Sequence, residues 1–167
     1  MLESSVVCLA AVRGQCLGGG LELASFCHRI FASPDAHFGQ PEIRLGVFAP
    51  MGSLLLSERV GRAHADDLCL SGRSISADEA LRIGLVDVVE EAPENAARAY
   101  AREHLLPHSA SSLRYAVRAA RISLRYRFED EIPALERLYL QELMSTHDAA
   151  EGVRAFVDKR PPQWRHA

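Results

Sequence analysis

The first part of the chain alternates short apolar runs with glycine-rich or polar breaks. Residues 6–12 (VVCLAAV) are apolar at every position, which is typical of a strand buried on both faces of a parallel sheet. After a polar break come the glycine run 18–20 and then residues 21–27 (LELASFC), which suit a helix. Residues 29–32 predict a second strand, and residues 37–39 a brief extended segment. A strand, a glycine turn and a helix in this order predict an α/β fold.

The remainder of the pattern is mostly helical. Ser76 and Glu79 have the spacing of a capping box and predict the start of a short helix, after which residues 85–89 predict a strand. Asp148 and Glu151 have the same spacing and predict the start of the last helix. The other helices are predicted over residues 50–59, 63–70, 94–106, 111–126 and 133–145, and the last over 148–159.

Composition and charge narrow the class of protein. The 167 residues are 48% hydrophobic and 25% charged, which is typical of one globular domain with a sizeable core. A formal net charge of −3 gives no basic field for a nucleic acid, and no apolar stretch has the length that a membrane span needs. We therefore expect neither a nucleic acid nor a membrane as a partner.

The cysteines and histidines show no ligand pattern. The four cysteines form no CxxC pair, and the seven histidines match no metal motif, so no metal site is predicted. The cysteines lie in apolar runs, which predicts buried, reduced thiols. Because the first residues also lack the basic and apolar regions of a signal peptide, we expect a cytoplasmic protein.

The glycine run and two acidic residues carry the candidate chemistry. Three adjacent glycines before a helix expose backbone N–H groups that suit a phosphate, or a charge that develops on a carbonyl oxygen. No Lys-Ser or Lys-Thr follows, which makes a phosphate loop the weaker interpretation. Glu22 lies just after the glycines, and Glu42 lies twenty residues further on. Taken separately, they fit a helix-start acid and a loop acid, and the glycines fit tight packing; together they would suit acid–base chemistry at carbon.

Four segments resemble the crotonase (enoyl-CoA hydratase/isomerase) superfamily. They follow one another in the order and at the spacing of that family, across nearly the whole chain: VRGQCLGGGLELA at 12–24, AHFGQPEIRLG at 36–46, LSGRSISADEA at 70–80 with GLV at 84–86, and EG at 151–152 with AFVDKR at 155–160.

This resemblance implies a fold, a substrate and an assembly. It implies a ββα-spiral core over residues 1–106, incomplete at its N-terminus, and a helical region over residues 107–167 that forms trimers or dimers of trimers. The implied substrate is an acyl-CoA thioester. Coenzyme A belongs to the substrate, and no separate cofactor is implied.

The resemblance also implies roles for individual residues. The N–H of Gly19 would bind the thioester oxygen in an oxyanion hole, Glu22 would activate water, and Glu42 would exchange a proton with the α-carbon. Gly18, Phe156 and Lys159 would contact the substrate or its CoA group, the last two across a subunit boundary. For Lys159, an exposed charge at a helix end is an equally simple interpretation. Both glutamates favour an acyl-CoA hydratase, a lyase; an isomerase that uses one glutamate, or a non-catalytic assembly module, remains the alternative.

The chain departs from the family pattern in three places. It is shorter than typical members, so we expect it to be the C-terminal portion of a hydratase, without the second oxyanion donor. The segment VFAP at 47–50 is most similar to that of cyclic dienoyl-CoA hydratases, in which Phe48 would shape a pocket for a ring, although an ordinary core position is the alternative. His28 stands where relatives often have aspartate, and a buried, hydrogen-bonded histidine explains it most simply.

Overall fold

The computed structural model describes all 167 residues and begins with two strand–strand–helix units. Gly18 and Pro41 are the points at which the chain leaves the second strand of each unit. The first unit comprises β1 (Leu9–Val12), β2 (Gln15–Leu17) and α1 (Gly19–Ser25). The second comprises β3 (Arg29–Ala32), β4 (His37–Gly39), a 3₁₀ helix (Pro41–Leu45) and α2 (Pro50–Val60). The predicted α/β class is therefore confirmed.

The two units stack in parallel register. β1 pairs with β3 and β2 pairs with β4, both parallel, with Leu17 opposite Gly39. The chain therefore leaves β2 and β4 at the same edge of one sheet, and the N–H of Gly18 donates to the carbonyl of Gly39 at 2.9 Å. Because ligands bind in α/β proteins beyond the carboxyl ends of parallel strands, this edge is where a site is expected.

The next elements complete both sheets. They are α3 (Arg62–Ser71), β5 (Ser74–Ser76), α4 (Ala77–Arg82), β6 (Val88–Val89) and α5 (Pro93–His104). β6 pairs with β3 in parallel, and β5 pairs with β4 antiparallel. The capping prediction at Ser76 is confirmed, because its hydroxyl accepts the N–H of Glu79 at 3.2 Å.

Two predicted strands differ from the structure, and two further strands were not predicted. The strand predicted over 6–12 is shorter, because Val6 is 62% exposed and strand pairing begins at Leu9. The strand predicted over 85–89 contains only Val88 and Val89, since the residues before them are buried in the turn that follows α4. β2 and β5 were not predicted as strands, because three residues of mixed polarity carry no readable alternation.

The C-terminal part is helical, with different boundaries from those predicted. It comprises α6 (Ala110–Ala120), α7 (Ile122–Arg137), a π turn (Leu138–Glu142), a 3₁₀ turn (Leu143–Ser145) and α8 (His147–Val157). The helix predicted to start at Pro133 is wrong, because Pro133 lies inside α7. Both Pro133 and Glu129, the residue whose carbonyl loses its donor, are exposed, so solvent can bond that carbonyl. The predicted cap at Asp148 is also wrong: Thr146 caps α8 by accepting the N–H of Ala149 at 3.2 Å.

Two apolar clusters hold these elements together. The larger one packs β1–β5, α1 and α2 around fully buried residues such as Leu21, Phe38 and Ile75. The smaller one joins Leu54 and Leu55 of α2 to Leu124 and Ile132 of α7, so the C-terminal helices pack directly on the helix that follows the Glu42 segment.

The structure also bears on the thiols, metals and membranes. All four cysteines are free; Cys16 and Cys27 are buried as predicted, whereas Cys8 and Cys69 are partly exposed. Burial raises the pKa of the Cys16 thiol to about 11. No three His, Cys, Asp or Glu side chains are placed to hold a metal ion together. None of the helices combines the length and the apolar character that crossing a bilayer requires.

Candidate active site

Glu22 is fixed by the start of a second helix. It lies in the first turn of α1, and its Oε1 accepts the N–H of Gly52 in the first turn of α2 at 2.8 Å. First-turn N–H groups have no acceptor within their own helix, and the helix dipole favours a negative charge there. The carboxylate of Glu22 therefore links two helix starts and leaves its second oxygen unengaged.

Glu42 approaches the same place from the neighbouring strand. It lies in the first turn of the 3₁₀ helix, after the extended Gln40 (φ −119°) that precedes Pro41. Its Oε1 is 2.5 Å from the point that a Cβ on Gly18 would occupy, and its Oε2 is buried without a hydrogen-bond partner. The side chain is thus held by packing against the glycine turn rather than by polar contacts.

The two carboxyl groups influence each other. Burial raises the pKa of both Glu22 and Glu42. The Gly52 N–H opposes the rise at Glu22, whereas the charge of Glu42 adds to it. The charge of Glu42 thus acts on Glu22 in the same direction as burial, and both effects favour the protonated form of that carboxyl group.

Gly19 supplies a free donor beside this pair. It is exposed, it begins α1, and its N–H donates to no acceptor in the chain. Gly18 before it has a φ of +53°, a conformation that glycine adopts without strain. The structure therefore brings Gly18, Gly19, Glu22 and Glu42 together at the carboxyl ends of β2 and β4.

The other predicted site residues lie in the loop before α2 and at or just after the end of α8. Phe48 is partly exposed and packs edge-on against Tyr139, with ring centroids 5.4 Å apart. Phe156 is 66% exposed on α8, and Lys159 is exposed just after it, with no ion pair in the chain. These exposed positions leave Phe156 and Lys159 available to another subunit, which is where the resemblance puts them to use.

Two residues of the site were not singled out from the sequence. Gly52 anchors Glu22, and the amide nitrogen of Gln40 occupies the space that a side chain on Gly52 would need. Gln40 is 1% exposed, and neither polar atom of its amide has a partner. The sequence shows only that Gln40 precedes Pro41 and Glu42. It does not show that the Gln40 side chain is buried or that it meets Gly52.

His28 has a structural place outside the site. It is partly buried, and its Nδ1 accepts the N–H of Cys8 at 3.0 Å. Burial, and then the nearby charge of Arg121, lower the pKa of the imidazole. This agrees with the prediction of a hydrogen-bonded histidine rather than a catalytic one.

The comparison with known proteins identifies the family. The family described as Enoyl-CoA hydratase/isomerase matches residues 1–167. The chain therefore belongs to the enoyl-CoA hydratase/isomerase family, the crotonases, and its α/β core with a helical C-terminal region is the fold of that family.

Two similar proteins of this family are named as hydratases. The chain is 57% identical over 166 residues to the cyclohexa-1,5-dienecarbonyl-CoA hydratase of Thauera aromatica, covering 99% of this chain and 64% of that protein. It is 42% identical over 160 residues to a probable enoyl-CoA hydratase of Rhizobium meliloti, covering 95% of this chain and 62% of the relative. The chain thus spans slightly less than two thirds of the length of these relatives.

Solved structures agree with these likenesses. The carnitinyl-CoA hydratase of Mycobacterium avium superposes with a TM-score of 0.84 at 32% identity, covering 95% of this chain and 62% of that one. An enoyl-CoA hydratase of the same species superposes with a TM-score of 0.87 at 27% identity, covering 98% and 64%.

Proposed function

We propose that this chain carries the acid–base half of an acyl-CoA hydratase site, which adds water to, or removes it from, a double bond conjugated to a CoA thioester. The observation that supports this most directly is the convergence of two half-buried carboxyl groups beside an unused backbone N–H donor. Adding water needs one base for the water, one acid for carbon, and a donor for the developing oxyanion. Glu22, Glu42 and Gly19 have the chemical character that these three roles require.

In the proposed hydration, the oxygen of water bonds to the β-carbon while one water proton passes to the ionised carboxylate of Glu22. The electrons of the double bond move onto the thioester oxygen, and the N–H of Gly19 stabilises the resulting enolate. Protonated Glu42 then gives its proton to the α-carbon, and the thioester carbonyl re-forms. Glu22 then loses its proton to solvent and Glu42 takes one up, which restores the starting state, so the net reaction adds only the atoms of water and needs no redox cofactor. Dehydration is the same sequence in reverse.

The contacts of the two acids support this division of roles. The N–H of Gly52 stabilises the ionised form of Glu22, which suits a base that orients water through its second oxygen. Oε2 of Glu42 is buried and accepts no hydrogen bond, so no donor stabilises the ionised form and burial favours the protonated form. A carboxyl group in this setting suits an acid that serves a carbon atom.

The test uses trans-2-enoyl-CoA in ¹⁸O-labelled water. The proposal expects ¹⁸O in a hydroxyacyl-CoA product, and it expects Glu22→Gln and Glu42→Gln each to lower kcat by about 10²- to 10⁴-fold. Binding of the CoA ester, measured by calorimetry, should change little in either variant. An unlabelled product with a shifted double bond would instead identify an isomerase. A protein that assembles stably but turns nothing over would identify a non-catalytic module.

We propose further that the acyl group is a cyclic diene. The named activity of the 57% identical relative and the partly exposed position of Phe48 in the loop between the Glu42 segment and α2 support this choice. Phe48→Ala should reduce turnover of a cyclohexadiene-carboxyl-CoA more than turnover of crotonyl-CoA. Equal losses for both substrates would leave Phe48 with a packing role only, through its contact with Tyr139.

We also propose that residues 107–167 assemble the protein as a trimer or a dimer of trimers. The exposed apolar side chains on the C-terminal helices support this, since a face of this kind is normally covered: Leu138, Leu140, Phe156 and Val157 are each between 45% and 71% exposed. In such an assembly Phe156 and Lys159 would contact the CoA group of a neighbour. Sedimentation velocity tests the assembly, and Lys159→Ala should raise KM for the CoA ester without changing kcat. A monomer with unchanged KM would overturn both points.

A further inference from the structure

The C-terminal tail lies against the segment that carries Glu42. The Trp164 ring packs over Gly46, with Cζ3 and Cη2 at 3.0 and 3.1 Å from the point that a Cβ there would occupy. The same Cη2 lies 2.9 Å from the corresponding point on Gly152 of α8. The indole, which is 37% exposed, therefore packs against both glycines, beside the backbone carbonyls of Asp148 and Leu45 that lie nearest to these two points.

The tail is held in this place by two acids of α8. Asp148 accepts the N–H of Arg165 at 2.8 Å and the N–H of His166 at 2.7 Å, one with each carboxylate oxygen. Glu151 accepts the N–H of Gln163 at 2.9 Å and pairs with both terminal nitrogens of Arg160 at 2.6 and 2.9 Å. Hydrogen bonds to a charged acceptor are stronger than neutral ones, so a tail without regular secondary structure is nonetheless anchored on both sides of Trp164.

The position of Gly46 connects this contact to Glu42. Gly46 ends the 3₁₀ helix with a φ of +72°, and its N–H donates to the carbonyl of Ile43 at 3.1 Å. The next amide, that of Val47, donates to the carbonyl of Glu42 itself at 3.3 Å. The Trp164 ring therefore presses on the residue that closes the turn from which Glu42 projects.

The same turn is enclosed from two further directions. The backbone carbonyl of Leu45 lies where a side chain on Gly152 would be, so α8 contacts the end of the turn directly. On the side of α3, the Cγ2 of Ile43 is 2.7 Å from the point that a Cβ on Gly72 would occupy. Because Oε2 of Glu42 has no hydrogen-bond partner, the carboxyl group is placed by the backbone of this turn together with its packing against Gly18.

We propose that Trp164 is a positioning residue for the reaction, acting through Gly46 on the turn that holds Glu42. The proposal rests on the proposed function, since it assigns the tail a part in placing the proton that Glu42 exchanges with carbon. Trp164 itself contacts no reacting atom. The tail thus contributes to the site without lining it.

The first measurement does not depend on activity. Hydrogen exchange at the amides of Gly46 and Val47 should become faster in Trp164→Ala, while Trp164→Phe, which keeps a ring between the two glycines, should restore most of the protection. Gln163→Ala is the matched control on the same tail, because Gln163 bonds Glu151 through its backbone only. Unchanged exchange in Trp164→Ala, with the fold intact by circular dichroism, would overturn the proposal.

The second measurement is kinetic. A small displacement of a reacting group lowers the rate steeply, so Trp164→Ala should lower kcat about 10- to 100-fold with little change in KM. In the Glu42→Gln background the same change should have little further effect, because residues that act through one group are not additive. Full additivity in the double variant would show that Trp164 acts elsewhere and would overturn the proposal.

The two measurements separate this inference from the proposed function. Faster exchange at Gly46 and Val47 in a protein that hydrates no enoyl-CoA would refute the hydratase while retaining the tail contact. Active hydration with exchange and kcat both unaffected by Trp164→Ala would refute the positioning role and leave the hydratase standing.

Discussion

The carboxyl group of Glu42 occupies the space that a side chain on Gly18 would need. Its Oε1 lies 2.5 Å from that point, and no real Cβ tolerates an oxygen at this distance. Gly18 also has a φ of +53° and lies between β2 and α1, so the turn that frees the Gly19 N–H is the surface on which Glu42 rests. The Gly19 donor and the Glu42 acid of the proposed reaction can therefore lie side by side because Gly18 has no side chain.

Gly18→Ala should for this reason damage the site more than the fold. The new methyl group pushes the Glu42 carboxyl away from the glycine turn, and we expect kcat to fall about 100-fold or more because the displaced group no longer meets its carbon. The backbone conformation of Gly18 (φ +53°, ψ −126°) is one that residues with a Cβ avoid, so the variant should also lose about 1–3 kcal/mol of stability. Steady-state hydration kinetics and urea unfolding measure the two effects separately.

Gly14→Ala is the matched control for this variant. Gly14 has a φ of +59°, close to that of Gly18, but no heavy atom lies within 4 Å of the point its Cβ would occupy. It should lose stability through its backbone conformation alone and keep its kcat. If both variants lost activity equally, backbone strain rather than the Glu42 contact would be responsible.

The buried carboxyl groups should also leave a mark on stability. Burial raises the pKa of Glu42 above its ordinary value of 4.5, so between these two values the folded chain binds more protons than the unfolded chain. The free energy of unfolding then falls as pH rises through that window. Glu42→Gln removes this dependence, and its stability relative to the parent should therefore improve as the pH is raised from about 4 to about 8.

Glu151→Gln provides a comparison of opposite sign. Its hydrogen bonds with Arg160 lower the pKa of Glu151 from 4.5 to about 2. The stability that ionised Glu151 contributes is therefore fully present above pH 4.5 and is lost as the pH falls toward 2. The stability of Glu151→Gln relative to the parent should hence fall as the pH is raised, whereas that of Glu42→Gln should rise. Urea unfolding at several pH values decides, and a pH-independent difference for Glu42→Gln would contradict the burial argument.

The sequence predicts the acidic residues of the site but not that they lie close together in the fold. Glu22 and Glu42 are readable as a helix-start acid and a loop acid, and only the parallel pairing of β2 with β4 brings them to one edge. These strands have three residues each, too few for periodicity to reveal them. The family resemblance compensated for this, because conserved spacing carries tertiary information that the polar pattern lacks.

The contacts that sequence reasoning missed are made by residues without informative side chains. Gly52 and Gly46 matter through an N–H group and through absent volume, and neither property leaves a polar pattern. Gln40 was visible only as the residue before Pro41, although its amide is buried against Gly52. The helix start predicted at Pro133 is wrong because this proline lies on an exposed face of α7, where solvent can bond the carbonyl that lacks a donor.

Pro133→Ala should stabilise the protein. An interior helical proline costs about 3 kcal/mol through its missing N–H and its clash with the preceding turn. Proline also restricts the unfolded chain, which offsets about 0.4–1 kcal/mol, so we expect a net gain of about 2 kcal/mol by urea unfolding. An unchanged or lower stability would show that α7 has adapted its backbone to the proline. Ala134→Gly, one position on, should lose about 1 kcal/mol and establishes that the segment is helical in solution.

Arg59 should be the most sensitive charged residue of the fold. Its side chain is 13% exposed, and it reaches Asp87 at 2.7 Å, the carbonyl of Leu85 at 2.8 Å and that of Cys27 at 3.1 Å. It thereby ties α2 to both the loop before β3 and the loop before β6, and Asp87 in turn accepts the N–H of Ile30 at 2.7 Å. Arg59→Ala leaves the carbonyls of Leu85 and Cys27 without this donor, while Asp87 keeps the N–H of Ile30, and it should destabilise the protein by about 3 kcal/mol.

Arg127 makes the corresponding comparison at the surface. It pairs with Glu131 at 2.8 Å on the same helix and with Glu58 of α2, and all three side chains are more than 30% exposed. An exposed pair of this kind contributes about 0.2–1 kcal/mol, so Arg127→Ala should be nearly neutral in the same urea experiment. Because Arg59 helps to orient α2, whose first turn anchors Glu22, Arg59→Lys should retain part of the stability and a corresponding part of kcat. Equal costs for Arg59→Ala and Arg127→Ala would show that burial does not set the value of these ion pairs.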